Sequence, residues 1–168
     1  MVKNSSDIGT LFEPKSFAVI GASHDTEKIG YKIMNNIVSG GYAGKIYPVN
    51  PQGGEILGNR VYQNIEDIEG DIDVASVVIP AKHVLDSVTR CAKKGVKFMQ
   101  IITSGFSETG NAEEEKKIVA VAREHGMRVL GPNIFGLYSA PASLNSTFSA
   151  GTVRSEERRV GKECRSRW

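Results

Sequence analysis

Hydrophobic positions fall into short apolar blocks that alternate with stretches of helical period. Ser16–Ala22 (SFAVIGA) is a short apolar run entering a Gly-Ala-Ser turn, the pattern of a buried parallel strand. From Gly30 to Ser39, Ile33, Met34 and Ile37 recur every three or four residues and predict a helix that stops at Gly40-Gly41. Lys45–Asn50 predicts a second strand, with Pro48 near its end, and Pro51-Gln52-Gly53-Gly54 turns the chain. Ile56–Asp67 has no clear period and reads as an extended segment with a short helical turn. Two further strand-then-helix units follow: Asp73–Pro80 with Lys82–Lys94, and Lys97–Thr103 with Asn111–His125. Arg128–Leu130 gives a fifth strand, and Leu137–Ser139 a small sixth.

Strands alternating with helices at this spacing predict an α/β, Rossmann-like, doubly wound fold: a mainly parallel five- to six-stranded sheet with helices on both faces. In such sheets ligands bind beyond the carboxyl ends of the strands, near the point where strand order reverses. The candidate residues are therefore Gly21, Ala22 and Ser23, then Asn50 and Pro51, then Ile79 and Pro80, then Thr103, Ser104 and Gly105, and finally Asn133 after Gly131-Pro132. Each group taken alone has the composition of a tight turn. Their recurrence at successive strand ends points instead to a phosphate-bearing ligand, because small residues let backbone approach and hydroxyls and helix-start amides suit phosphate oxygens. Lys28 adds a point charge near the first turn, although a lysine there is also ordinary surface.

Several chemistries are disfavoured. A dinucleotide fingerprint needs GxGxxG and an acidic residue closing strand two, whereas this chain reads Gly21-Ala22-Ser23-His24 and closes that strand on Asn50-Pro51. His24, His83 and His125 lie on different elements, and no HExxH or GxSxG pattern occurs. Cys91 and Cys164 have no metal-ligand spacing, so no catalytic or metal residue is assigned. The net charge of +2 comes from the end of the chain, since positions 1–152 hold 15 basic against 16 acidic residues. No attraction to nucleic acid follows. There is no spanning run or signal region, so no membrane association is expected and the expected location is cytoplasmic.

The blocks LFEPKSFAVIGAS, KIGYKIMNNI, GKIYPVNP, VVIPAKHV, SGFSETG, GPNIFGLYS and LNSTF, in this order, resemble the N-terminal CoA-binding domain of NDP-forming acyl-CoA synthetases, including ADP-forming acetate-CoA ligases and the succinyl-CoA synthetase α subunit. The resemblance runs from about Leu11 to Ala150. It implies coenzyme A as a substrate: Ser23 and the backbone around Gly30 would hold its phosphates, Ile79-Pro80 flank its nucleotide, Thr103-Ser104 touch its pantetheine arm, and Asn133 lie near its thiol. Two positions depart from many relatives: Gln52 stands where a lysine can meet a CoA phosphate, and Ile134 where a cysteine follows Pro-Asn.

By the same resemblance, the parent enzyme makes acyl-CoA from a carboxylate, CoA and ATP. The phosphorylated histidine, the ATP-grasp part and the ATP/Mg site would lie in further domains or subunits of an oligomer, leaving this piece alone inactive. A stand-alone CoA-binding regulatory module and the N-terminal part of a protein lysine acetyltransferase are the alternatives. Finally, Arg154–Trp168 (RSEERRVGKECRSRW) resembles the translation of a sequencing adapter. The expected organisation is an N-terminal extension over 1–10, the CoA-binding domain over 11–152, and a non-native tail over 153–168, with the native protein continuing past it.

Overall fold

The computed structural model describes residues 7–149. The proposed tail at 153–168, the last residues (150–152) of the proposed domain and the first part of the proposed extension lie outside those residues. A short helix α1 (Gly9–Phe12) straddles the expected start of the domain. It is tied in by buried Leu11 and by the Ser139 hydroxyl, which donates to the Phe12 carbonyl.

The main sheet contains β1 (Ser16–Ile20), β2 (Lys45–Val49), β5 (Val74–Val77), β6 (Phe98–Ile101) and β7 (Arg128–Leu130), in the order β2-β1-β5-β6-β7, with every pairing parallel. All residues of β1, β5 and β6 are buried, which explains why these strands read as largely apolar runs. Successive side chains point to opposite faces. Ala18, Ile20, Ala75, Val77, Met99 and Ile101 form one core with helices α3 (Val84–Lys94) and α4 (Ala112–Glu124). Phe17, Val19, Val74 and Phe98 form the other core with Ile33, Met34 and Ile37 of helix α2 (Ile29–Ser39). Pro48 is tolerated because β2 is the edge strand of this sheet. Helix α3 ends at Gly95, whose φ of 85° lets the chain leave in a left-handed cap.

Two segments differ from the sequence expectation. Leu137–Ser139 does not extend the main sheet: β8 (Tyr138–Ser139) pairs antiparallel with β9 (Leu144–Asn145) as a separate ribbon. Its anchor is non-local, since Ser146 donates to Gln100 of the central strand β6, which also accepts from Ser76. The irregular stretch after β2 contains a second small ribbon, β3 (Glu55–Ile56) with β4 (Asn59–Arg60), and a 3-10 turn over Ile65–Asp67 closed by a reciprocal Asn64/Asp67 capping box. Among the described residues, no helix is long and apolar enough to cross a membrane.

Candidate functional site

The order β2-β1-β5 reverses direction between β1 and β5, so the crevice belongs at the carboxyl ends of these strands. The backbone makes room there in two places. Gly21, directly after β1, has φ of 92°, and a Cβ on it would lie 2.6 Å from the Val78 carbonyl oxygen. Gly30, in the first turn of α2, presses on the same loop: a Cβ would lie 2.9 Å from the Gly21 carbonyl carbon and nearer still to its oxygen. The start of α2 is thus seated on the β1 turn. No side chain caps that helix start, where Lys28 is the N-cap residue and is exposed. Unpaired first-turn amides and the helix dipole favour an anion at such a position.

The turn between them is braced from within. The Ser23 hydroxyl, 8% exposed, accepts from the Asp25 amide at 3.1 Å, and the Asp25 carboxylate accepts from the Glu27 amide. Across the gap, the Asn50 side-chain amide donates to the Ala22 carbonyl at 2.6 Å, while its oxygen accepts from the Gln52 amide at 2.8 Å. Asn50 therefore locks the loop after β2 to the loop after β1. That side chain is already committed to the backbone, so it is not an acidic ribose acceptor of the dinucleotide type.

Beside these turns lies a cleft of about 390 Å³. Gly21, Asn50, Pro51, Ile79 and Pro80, all singled out from the sequence, line it together. Ile20, Val49 and Ile65 add apolar wall. Ser23, Lys28 and Gly30 stand at the neighbouring turn and helix start, outside that lining. Thr103, Ser104, Gly105 and Asn133 form a second group at the ends of β6 and β7. The two groups are connected: the Thr103 hydroxyl donates to the Ile79 carbonyl at 2.8 Å, and the Asn133 amide donates to the Thr103 carbonyl at 3.1 Å. Ser104 is exposed, and the Gly105 and Phe106 amides donate to the Glu108 carboxylate, which lowers the pKa of that acid.

Sequence reasoning did not anticipate the opposite wall. Asn64, Asp86, Ser87 and Arg90 line the cleft, with Cys91 behind them. Arg90 makes a two-bonded pair with Glu66, Nε to Oε1 at 2.7 Å and Nη2 to Oε2 at 2.5 Å, and Nη2 also donates to Asn64 Oδ1 at 3.0 Å. The guanidinium holds the Glu66 carboxyl below the usual range, and Glu66 raises Arg90 in return. The residues of this wall come from α3 and from the aperiodic segment before β5. The Val49–Tyr62 bridge folds that segment back along β2, and the bonds of Arg90 to Asn64 and Glu66 tie it to α3.

Burial, with a smaller contribution from Glu66, pushes the Cys91 thiol up from its ordinary 9.0 to about 12. Cys91 is fully buried, so it serves as packing and not as a nucleophile. The unfolded chain releases the Cys91 proton from about pH 9 and the folded chain only near 12, so this thiol's contribution to stability is intact below 9 and is lost as pH rises through that interval. Alkylation with iodoacetamide at pH 8 followed by peptide mapping is expected to leave the Cys91 peptide unlabelled in native protein and label it in denaturant. Labelling of the native form would contradict the packing role.

Residues 15–139 match the family model described as CoA binding domain. The chain belongs to that family. It is 51% identical over 149 residues to acetate–CoA ligase (ADP-forming) I subunit alpha of Pyrococcus furiosus, a match covering 85% of this chain and 32% of that one. To the acetate–CoA ligase (ADP-forming) of Methanocaldococcus jannaschii it is 46% identical, covering 81% of this chain and 19% of the relative. A solved structure described as Ca. Korarchaeum cryptofilum dinucleotide forming acetyl-coenzyme A synthetase 1, in complex with phosphate and ADP, superposes with a TM-score of 0.83 at 48% identity, covering 85% of this chain and 31% of that one. This CoA binding domain thus spans about a third or less of the length of these relatives.

Proposed function

We propose that this domain binds coenzyme A as the CoA seat of an ADP-forming acyl-CoA ligase. The observation carrying the proposal is the switch-point site itself, where an apolar-walled cleft adjoins a glycine turn onto which an uncapped helix start is pressed. Coenzyme A has matching parts: a flat nucleoside, a run of phosphates and a long thin arm. A cleft of about 390 Å³ lies in the range that small ligands occupy. The nucleoside end would rest between Ile79-Pro80 and Asn50-Pro51. The phosphates would cross Gly21-Ala22-Ser23 toward the first amides of α2, with Lys28 supplying charge. The pantetheine arm would then run past Thr103, Ser104 and Gly105 to Asn133.

On this proposal residues 11–152 are the binding unit and contribute no catalytic group of their own. The thiol is presented to an acyl phosphate made elsewhere, and the phosphohistidine and ATP/Mg chemistry of the ligase reside in further domains or subunits. An oligomeric, cytoplasmic parent is part of the same proposal. The relatives' names support the ligase class, and their greater length supports the division of labour.

Calorimetric titration of the full 168-residue chain tests it. CoA is expected to bind with NAD at least about tenfold weaker, because the loop hydrogen bonds of Asn50 leave no acidic group for the ribose diol of NAD. Ser23→Ala is expected to weaken CoA about tenfold, the lower end of the range for one hydrogen bond to a charged group, with the lost bracing of the loop adding to the effect. No CoA binding by a folded chain, or preference for NAD, would overturn the proposal.

A further inference from the structure

Among the described residues, Arg90 is the only side chain lining the cleft that carries a permanent positive charge. Gln52, in the turn after β2, is exposed and provides no cation. Any phosphate carried on the nucleoside itself, away from the α2 start and Lys28, therefore has one fixed-charge partner within the cleft. The arginine is also held in place. Its Nε and Nη2 groups are taken up by Glu66 and Asn64, and among the described residues no hydrogen bond is made by Nη1, which retains its two N–H donors. The side chain is 37% exposed, so those donors are not sealed from an incoming ligand. A guanidinium fixed on one edge loses little further freedom when its other edge binds an anion.

We infer that Arg90 is a specificity-determining residue that recognises a phosphomonoester on the ribose of the bound nucleotide, with Glu66 and Asn64 as positioning residues that aim it. The inference rests on the proposal that the ligand is coenzyme A, whose ribose carries such a group and whose dephospho form lacks it. Glu66 has an opposing effect too, because its charge offsets that of the arginine it holds. Asp86, also lining the cleft, opposes an anion in the same way. Arg90 thus operates in a locally neutral to acidic wall, so the contribution of its charge to discrimination should be sensitive to salt.

The test compares CoA with dephospho-CoA by titration, using the full chain and the variants Arg90→Gln and Glu66→Gln. The wild type is expected to prefer CoA by about five- to tenfold, as one charge-assisted contact at a part-exposed site would give. Arg90→Gln is expected to remove that preference by weakening CoA alone and leaving dephospho-CoA unchanged. Glu66→Gln keeps an acceptor oxygen beside the guanidinium, with Asn64 still holding Nη2, and lifts the offsetting charge, so it is expected to widen the preference, and it decides the matter should Arg90→Gln fold poorly. Adenosine 3′,5′-bisphosphate is expected to show the same Arg90 dependence, placing the effect at the nucleotide end. A preference that survives Arg90→Gln, or that Glu66→Gln leaves unchanged, overturns the assignment of Arg90 while the CoA proposal stands. A folded wild type that binds neither ligand overturns both.

Discussion

Gly30→Ala is expected to lower the melting temperature by about 5–10 °C and CoA affinity by about a hundredfold. Alanine is the better helix former by roughly 1 kcal/mol, so local propensity predicts the opposite sign. Packing decides the outcome. The new methyl would lie 2.9 Å from the Gly21 carbonyl carbon and 3.2 Å from the Ala22 Cα, both rigid backbone and neither able to rotate away. Overpacking against atoms that cannot yield costs about 1–3 kcal/mol or somewhat more, and in a domain of this size each kcal/mol moves the transition by about 2–4 °C. Relief comes only by lifting the α2 start off the β1 turn, which separates the helix amides from the loop they are proposed to serve. Thermal unfolding together with CoA titration checks both halves. Ser39→Ala, on an exposed position of the same helix, is the control and should shift stability by no more than about 0.5 kcal/mol. An unchanged or raised melting temperature in Gly30→Ala would refute the close-packing account.

The same glycine shows what the sequence conveys and what it hides. Gly30 is legible as part of a helix start near a ligand turn, but its packing role depends on the Gly21 carbonyl, nine positions earlier, and no local pattern records that approach. The buried parallel strands are legible for the converse reason. Burial on both faces makes SFAVI, VASV and FMQI mostly apolar, with Ser16, Ser76 and Gln100 as buried polar exceptions, and the glycines that follow α3 and α4 mark the ends of their helices. The ribbons β3–β4 and β8–β9 are too short for any period to emerge. Their positions come from partners far away in sequence: Tyr62 lies along Val49, and Ser146 bonds to Gln100. One wall of the cleft follows the rule that strand ends collect small and polar residues. The other consists of Asn64, Asp86 and Arg90, which look like ordinary surface until the fold brings a loop and a helix face together.

Asn50 separates two meanings that strand-end position alone leaves combined. An acidic residue at this place would read the ribose of a dinucleotide, yet the observed asparagine spends its amide on the Ala22 carbonyl at 2.6 Å and its oxygen on the Gln52 amide. Asn50→Asp keeps the size and the acceptor while turning the donor into an oxygen that faces another oxygen. The lost hydrogen bond and the carboxylate–carbonyl repulsion together cost about 2–3 kcal/mol, which, if expressed fully in binding, is a fall of about thirty- to hundredfold in CoA affinity. The added charge also repels the phosphates proposed to pass nearby, a part that raised salt should diminish while the bracing part persists. Asn50→Ala removes the brace without adding charge and should fall between wild type and Asn50→Asp, with little salt dependence. Neither substitution should improve NAD binding, because the Gly21-Ala22-Ser23-His24 turn still lacks the spacing that a dinucleotide requires. A gain of NAD affinity in Asn50→Asp, with CoA affinity retained, would show that this position reads the ribose directly and that the loop-bracing account is mistaken.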